Sequence, residues 1–307
     1  MELKSFAQMK EQLHLRAPCT AVVAAAHDAH TLQGVFCAAD EGLITPILVG
    51  EREKIIEIVS GMNRPLEELQ IVSARGEEAC AQQAVELIRG GQGDILVKGL
   101  LQTFALLRAV VNRESGIRRK GLLSHLAILE VPAYHKLLFV TDGGMVIAPD
   151  LEQKKEILGN AVEFCRFLGY EAPKAAALCM TEVEHPTMPE TSDAAQLKRW
   201  GMAGVFGPCV VEGPISFDLA TDRQSARVKG YQSPVSGDAD ILLVPSVTAG
   251  NLMVKALYGM AGASMAGVVL GAAVPVTVNS RGASPEEKYA SILFCAAMAA
   301  QHDVGGG

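Results

Sequence analysis

Apolar stretches rich in β-branched residues recur along the whole chain, at Thr20–Ala26, Pro46–Val49, Ile95–Val97, Leu126–Val131, Leu137–Thr141, Ala175–Leu178, Ile241–Val244 and Gly267–Val278. They are continuous rather than alternating, and a strand with no polar face must be covered on both sides. Between them lie amphipathic stretches with helical spacing, such as Glu77–Arg89, Leu151–Leu168 and Asn251–Met260, several opened by Asp, Asn or Pro and closed by Gly. That alternation predicts an α/β fold built on mostly parallel sheet. The apolar share, 49% with only 5% aromatic, is dominated by small aliphatic side chains, which let helices sit close on a buried sheet.

At 307 residues the chain is long enough for two lobes sharing a cleft. A net charge of −7 argues against nucleic acid and anionic lipid as partners and requires any anionic substrate to be held by local cations. The seven cysteines are far apart, without a C-x-x-C pair, which reads as reduced thiols in a cytoplasmic protein. Met1–Arg16 lacks the basic and apolar regions of a signal peptide, and no apolar run is long enough to span a membrane.

Three strand-to-helix junctions carry chemistry. In Val276–Lys288 an apolar run ends at Asn279, a Ser280-Arg281-Gly282 turn follows, and Ser284-Pro285-Glu286-Glu287 opens a helix with cap, proline and acidic first turn. Ligands of open α/β sheets bind beyond the carboxyl ends of strands, where Ser280 and Arg281 would stand. The plainer alternative pairs Arg281 with Glu286 or Glu287. In the second junction, Asp94–Thr103, a buried strand ends on Lys98-Gly99, and Arg108 follows among apolar residues. These two cations are either anion ligands or, respectively, a solvated strand end and a snorkelling side chain. The third, Gly237–Lys255, places Thr248, Gly250 and Asn251 at a helix start suited to an anion, or to an ordinary strand-to-helix turn. His27-Asp28-Ala29-His30 offers no third metal ligand, and the nucleotide and serine-hydrolase fingerprints are missing.

In order and spacing, Glu212–Asp218, Ser233–Asp240, Ala249–Lys255 and Ser280-Arg281-Gly282 together resemble the phosphate acetyl/butyryltransferase family over essentially the whole chain. Val97-Lys98-Gly99, Thr141-Asp142 with Ile147–Leu151, and Pro186–Thr191 look like its butyryl branch. The extra segment of acetyl-type enzymes, with its substrate-side arginine, is shortened here. The resemblance implies two α/β/α lobes of the isocitrate/isopropylmalate dehydrogenase-like kind, an active site in the interlobe cleft, and a homodimer or higher homo-oligomer. On that basis the lobes are residues 1–129 with 275–307, and 130–274.

The resemblance further implies that Ser280 and Arg281 are the family's serine and arginine pair, that Arg108 is its second arginine, and that Glu287, or the adjacent Glu286, is the base. Lys98, Arg108, Thr248, Gly250 and Asn251 are then expected to bind phosphate or substrate. The expected reaction moves a short acyl group, butyryl by preference, between coenzyme A and inorganic phosphate. Coenzyme A is a substrate, and no bound cofactor or metal is expected. The alternatives are a phosphate acetyltransferase, a metal-dependent hydroxy-acid dehydrogenase of similar fold, and a non-catalytic acyl-CoA-binding protein.

Overall fold

The computed structural model describes residues 2–302 apart from His14, Arg16 and Lys120. Its elements run α1 Phe6–Gln12, β1 Cys19–Ala24, α2 Ala29–Asp40, β2 Ile44–Gly50, α3 Arg52–Gly61, β3 Gln70–Ser73, α4 Glu77–Arg89, β4 Ile95–Lys98, α5 Thr103–Val110, β5 Ser124–Glu130 and β6 Leu138–Thr141. They continue α6 Leu151–Phe167, β7 Lys174–Leu178, α7 Pro189–Met202, β8 Val210–Ile215, α8 Phe217–Thr221, α9 Arg223–Val228, β9 Ile241–Leu243, α10 Val247–Ala261, β10 Ser264–Leu270, β11 Val276–Thr277 and α11 Pro285–His302. The fold is α/β, and the chain forms two compact units, Lys10–Lys120 with Ala266–Gly307, and Met1–Met9 with Gly121–Met265. For brevity these are the split unit and the central unit.

In the split unit the strand order is β3-β2-β1-β4-β11-β10, parallel throughout except for the β10–β11 pair. The run Gly267–Val278, read from the sequence as one strand, is therefore two antiparallel strands. The chain turns at Gly271, whose φ of 89° lies in the left-handed region that glycine enters without strain. β1 is wholly apolar from Ala21 to Ala24 and has no exposed surface there, as expected of a strand covered on both faces. One side is closed by α11 against α2. Gly34 makes that contact possible, since a Cβ there would lie 2.7 Å from the Pro285 carbonyl oxygen and 3.0 Å from the Lys288 Cβ.

In the central unit the order is β5-β6-β9-β7-β8, with β5 antiparallel to β6 and the others parallel. The Asp238-Ala239-Asp240 stretch staples three of these strands together. Lys136, 1% exposed, reaches Asp240 at 2.6 Å and Asp238 at 3.2 Å, while Asp240 accepts the Lys174 backbone N–H at 2.7 Å. A buried ammonium so enclosed by carboxylates is compensated for its lost hydration.

Candidate active site

The split unit has a topological switch point. From β1 the chain fills one side of the sheet with β2 and β3, then crosses to lay β4 on the other side of β1. The crevice beyond the carboxyl ends of β1 and β4 is where such sheets take ligands. Gly99, just past β4, lines it by necessity: an added Cβ would fall 2.4 Å from the Ala25 carbonyl oxygen and 2.6 Å from that of Ala24. The Gly99 and Leu100 N–H groups donate to these same carbonyls at 2.9 Å each, fixing the loop against β1.

Lys98 is the last residue of β4, at this end of the sheet. Its backbone N–H donates to the Thr277 hydroxyl on β11 at 3.1 Å, and the residue is only 4% exposed. Among the described residues its Nζ makes one long contact, 3.5 Å to the Gly99 carbonyl. A buried ammonium with so little local bonding is costly. Desolvation, followed by the positive charges of Lys288 and Arg281, pushes its pKa down to about 8.

Ser280 and Arg281 are exposed on the turn between β11 and α11. Asn279, 5% exposed, pins that turn by donating from Nδ2 to the Ser291 hydroxyl at 2.8 Å. Arg281 pairs with neither Glu286 nor Glu287; its Nη2 lies 3.1 Å from Glu77 Oε1 on α4. Arg108 is exposed, and its Nη2 lies 2.7 Å from Glu78 Oε1. Glu287 and Ser284 form a capping box: the Ser284 N–H donates to Glu287 Oε2 at 2.7 Å and the Glu287 N–H to the Ser284 hydroxyl at 3.3 Å. Glu286 is exposed, and a hydrogen bond from Ser284 lowers its pKa.

Lys98, Arg108, Ser280, Arg281 and Glu287 thus all belong to the split unit. Thr248, Gly250 and Asn251 lie at the start of α10 in the central unit. There Gly250 is required by packing, since a Cβ would come within 2.7 Å of the Gly143 Cα, and the Asn251 amide donates to the Gly143 carbonyl at 3.4 Å. Thr248 is exposed.

Sequence reasoning missed three members of the split unit's charge cluster. Lys288, 5% exposed, donates to Asp28 at 3.1 Å and to the Thr31 hydroxyl at 2.6 Å. Glu77 and Glu78 hold the two arginines. The signal for Lys288 was available in the first turn of α11, one residue beyond Glu287. Asp28, part of the rejected metal motif, is the N-cap of α2 and the carboxylate partner of Lys288.

A phosphate ester or free phosphate suits this arrangement: a dehydrated ammonium, two arginines and a serine hydroxyl stand at strand and helix ends of one unit. Comparison with known proteins shows the family. Residues 78–297 match the family profile described as "Phosphate acetyl/butaryl transferase". A phosphate butyryltransferase of Clostridium acetobutylicum is 35% identical over 97% of this chain and 99% of its own length. A phosphate acetyltransferase of Rhizobium meliloti is 39% identical over 93% of this chain and 90% of its own. The crystal structure of a branched-chain phosphotransacylase from Enterococcus faecalis superposes with a TM-score of 0.79 at 33% identity, covering 92% of this chain and 99% of that one. The chain therefore belongs to the phosphate acetyl/butyryltransferase family and is an acyltransferase enzyme of that kind.

Proposed function

We propose that this enzyme reversibly transfers a short acyl group, butyryl in preference to acetyl, between coenzyme A and inorganic phosphate, and that Lys98, Arg108 and Arg281 hold the phosphate. The observation that carries this reading is Lys98, a buried ammonium at the switch point whose Nζ makes one long hydrogen bond among the described residues and whose pKa is lowered by desolvation and then by the charges of Lys288 and Arg281. Lys288 and Arg281 each have a carboxylate partner, Asp28 and Glu77, whereas the dehydrated Lys98 ammonium has none in hydrogen-bond reach among the described residues, which an anion bound beside it would explain.

In the direction of acyl-CoA formation, Glu287 takes the proton of the coenzyme A thiol. The thiolate attacks the acyl-phosphate carbonyl, and the tetrahedral intermediate collapses with loss of phosphate. Ser280 donates to the developing oxyanion, and Arg281 and Arg108 stabilise charge on the departing phosphate. Holding the two reactants together can supply roughly 7–11 kcal/mol in the best intramolecular cases. Glu287→Gln should lower turnover, with Glu286→Gln as its comparison. Thr248 at the start of α10 contributes to substrate binding in the central unit, on a framework fixed by Gly250 and Asn251.

The enzyme is further proposed to act in the cytoplasm as a homodimer or higher oligomer. Its scattered thiols support the first, and the exposed Leu252 and Met260 on α10, 65% and 90% accessible, support the second.

The direct test is the release of free thiol from butyryl-CoA as a function of inorganic phosphate. Turnover that rises and saturates with phosphate is the expected result. Thiol release indifferent to phosphate, or binding of butyryl-CoA without turnover, would overturn the reading.

A further inference from the structure

α4 opens on two consecutive carboxylates, and each holds one of the arginines assigned to phosphate. The two are not held alike. Glu77 is engaged at both oxygens: Oε1 takes Arg281, and Oε2 accepts the backbone N–H of Gln102, the N-cap of α5, at 2.8 Å. Glu78 meets Arg108 through Oε1, and both side chains are more than half exposed, 67% and 54%.

We infer that this pair divides two tasks: Glu77 is a positioning residue that holds Arg281 in place throughout, whereas Glu78 substitutes for a phosphate oxygen on Arg108 and is displaced when phosphate arrives. This rests on the phosphate reading of Arg108 and Arg281. A guanidinium carries five N–H donors in a fixed fork. Glu77 contacts Nη2 of Arg281, so one carboxylate can orient that side chain and leave donors for a second anion. An exposed carboxylate pair such as Arg108–Glu78 shifts an equilibrium by about fivefold at most. Phosphate, a dianion offering bidentate acceptors, outcompetes it. Until then Glu78 offsets the charge of Arg108.

The two substitutions should therefore act with opposite sign. Initial rates of thiol release from butyryl-CoA, measured across a phosphate titration, read both. Glu78→Gln should lower the apparent KM for phosphate by about two- to fivefold and leave that for butyryl-CoA in place. Glu77→Ala should lower kcat about tenfold or more, and Glu77→Gln, whose amide oxygen still accepts the Gln102 N–H, should recover most of the loss. Changes of the same sign in kcat/KM for phosphate for Glu78→Gln and Glu77→Ala would overturn the division, as would a Glu77→Gln enzyme as impaired as Glu77→Ala. Arg108→Gln separates the levels. If it leaves the phosphate KM unmoved, the phosphate reading itself fails; if it raises that KM while Glu78→Gln has no effect, only the substitution role of Glu78 fails.

Discussion

Replacing Lys98 by methionine should make the unliganded protein more stable and the enzyme inactive. Methionine has nearly the same length and no charge, so it removes the dehydrated ammonium while keeping most of the packing. The lysine pKa falls from 10.5 to about 8 in the fold, mainly through desolvation and then through Lys288 and Arg281. At about 1.36 kcal/mol per pH unit, that fall of about 2.5 units is a penalty of about 3 kcal/mol on the charged form. Below pH 8 the folded lysine is charged and the whole penalty applies. Between pH 8 and 10.5 the unfolded chain binds the extra proton, so wild-type stability rises with pH and the penalty disappears. Lys98→Met should therefore gain about 2–3 kcal/mol over wild type at pH 7, with the gain shrinking towards pH 10. Thermal melts by far-UV circular dichroism at both pH values measure this, with and without phosphate. Phosphate should raise the melting temperature of wild type and leave the variant unmoved. A variant less stable than wild type at pH 7, or a difference independent of pH, would refute the argument.

Arg281→Ala should lower turnover by about 10²–10³-fold, the loss typical of a transition-state donor, with a melting temperature close to wild type because the side chain is exposed. Arg108→Gln should raise the apparent KM for phosphate more than that for acyl-CoA, as read from initial-rate titrations of each substrate; equal changes would assign it a general electrostatic role. Two additional buried methylenes at about 0.8 kcal/mol each predict a kcat/KM for butyryl-CoA more than tenfold above that for acetyl-CoA, declining in steps through propionyl-CoA. An enzyme equally efficient with acetyl-CoA would reverse the acyl preference and leave phosphate transfer intact.

The buried strands were legible because their surroundings are simple. β1, β4 and β7 lie under helices on both faces, and that environment writes itself as an unbroken apolar run. β3, Gln70–Ser73, escaped because it is an edge strand with no fully buried residue. β8 escaped because its Glu212-Gly213-Pro214 segment reads as a turn, although Glu212 is buried against Lys198 at 2.6 Å and the strand pairs with β7 from Val210 to Glu212 and again at Ile215, with a register shift between. Helix α10 begins at Val247, ahead of the expected Asn251, because Ser246 rather than Asn251 is the cap. In the candidate site, strand ends pointed to Lys98 and Arg281 by local pattern alone. Their partners could not be found that way. Arg281 is 204 residues from Glu77, and the pairing of β11 with β4 is a tertiary feature that local spacing does not report. Local spacing offered Glu287, which the fold commits to a capping box.

The split unit is assembled from two chain segments separated by the entire central unit, and this sets an order of events during synthesis. When residue 265 leaves the ribosome, the central unit has all its strands, while β4 still lacks its neighbour β11 and Lys98 lacks the Thr277 hydroxyl that accepts its backbone N–H. Ser280, Arg281, Glu287 and the α11 face that packs on Gly34 arrive only with residues 266–302. A nascent chain therefore carries one complete unit and an unfinished sheet edge beside β4, which exposes it to mispairing until β11 closes it. Chains stalled or truncated after β10 should be prime clients for chaperones, whatever the stability of the finished enzyme.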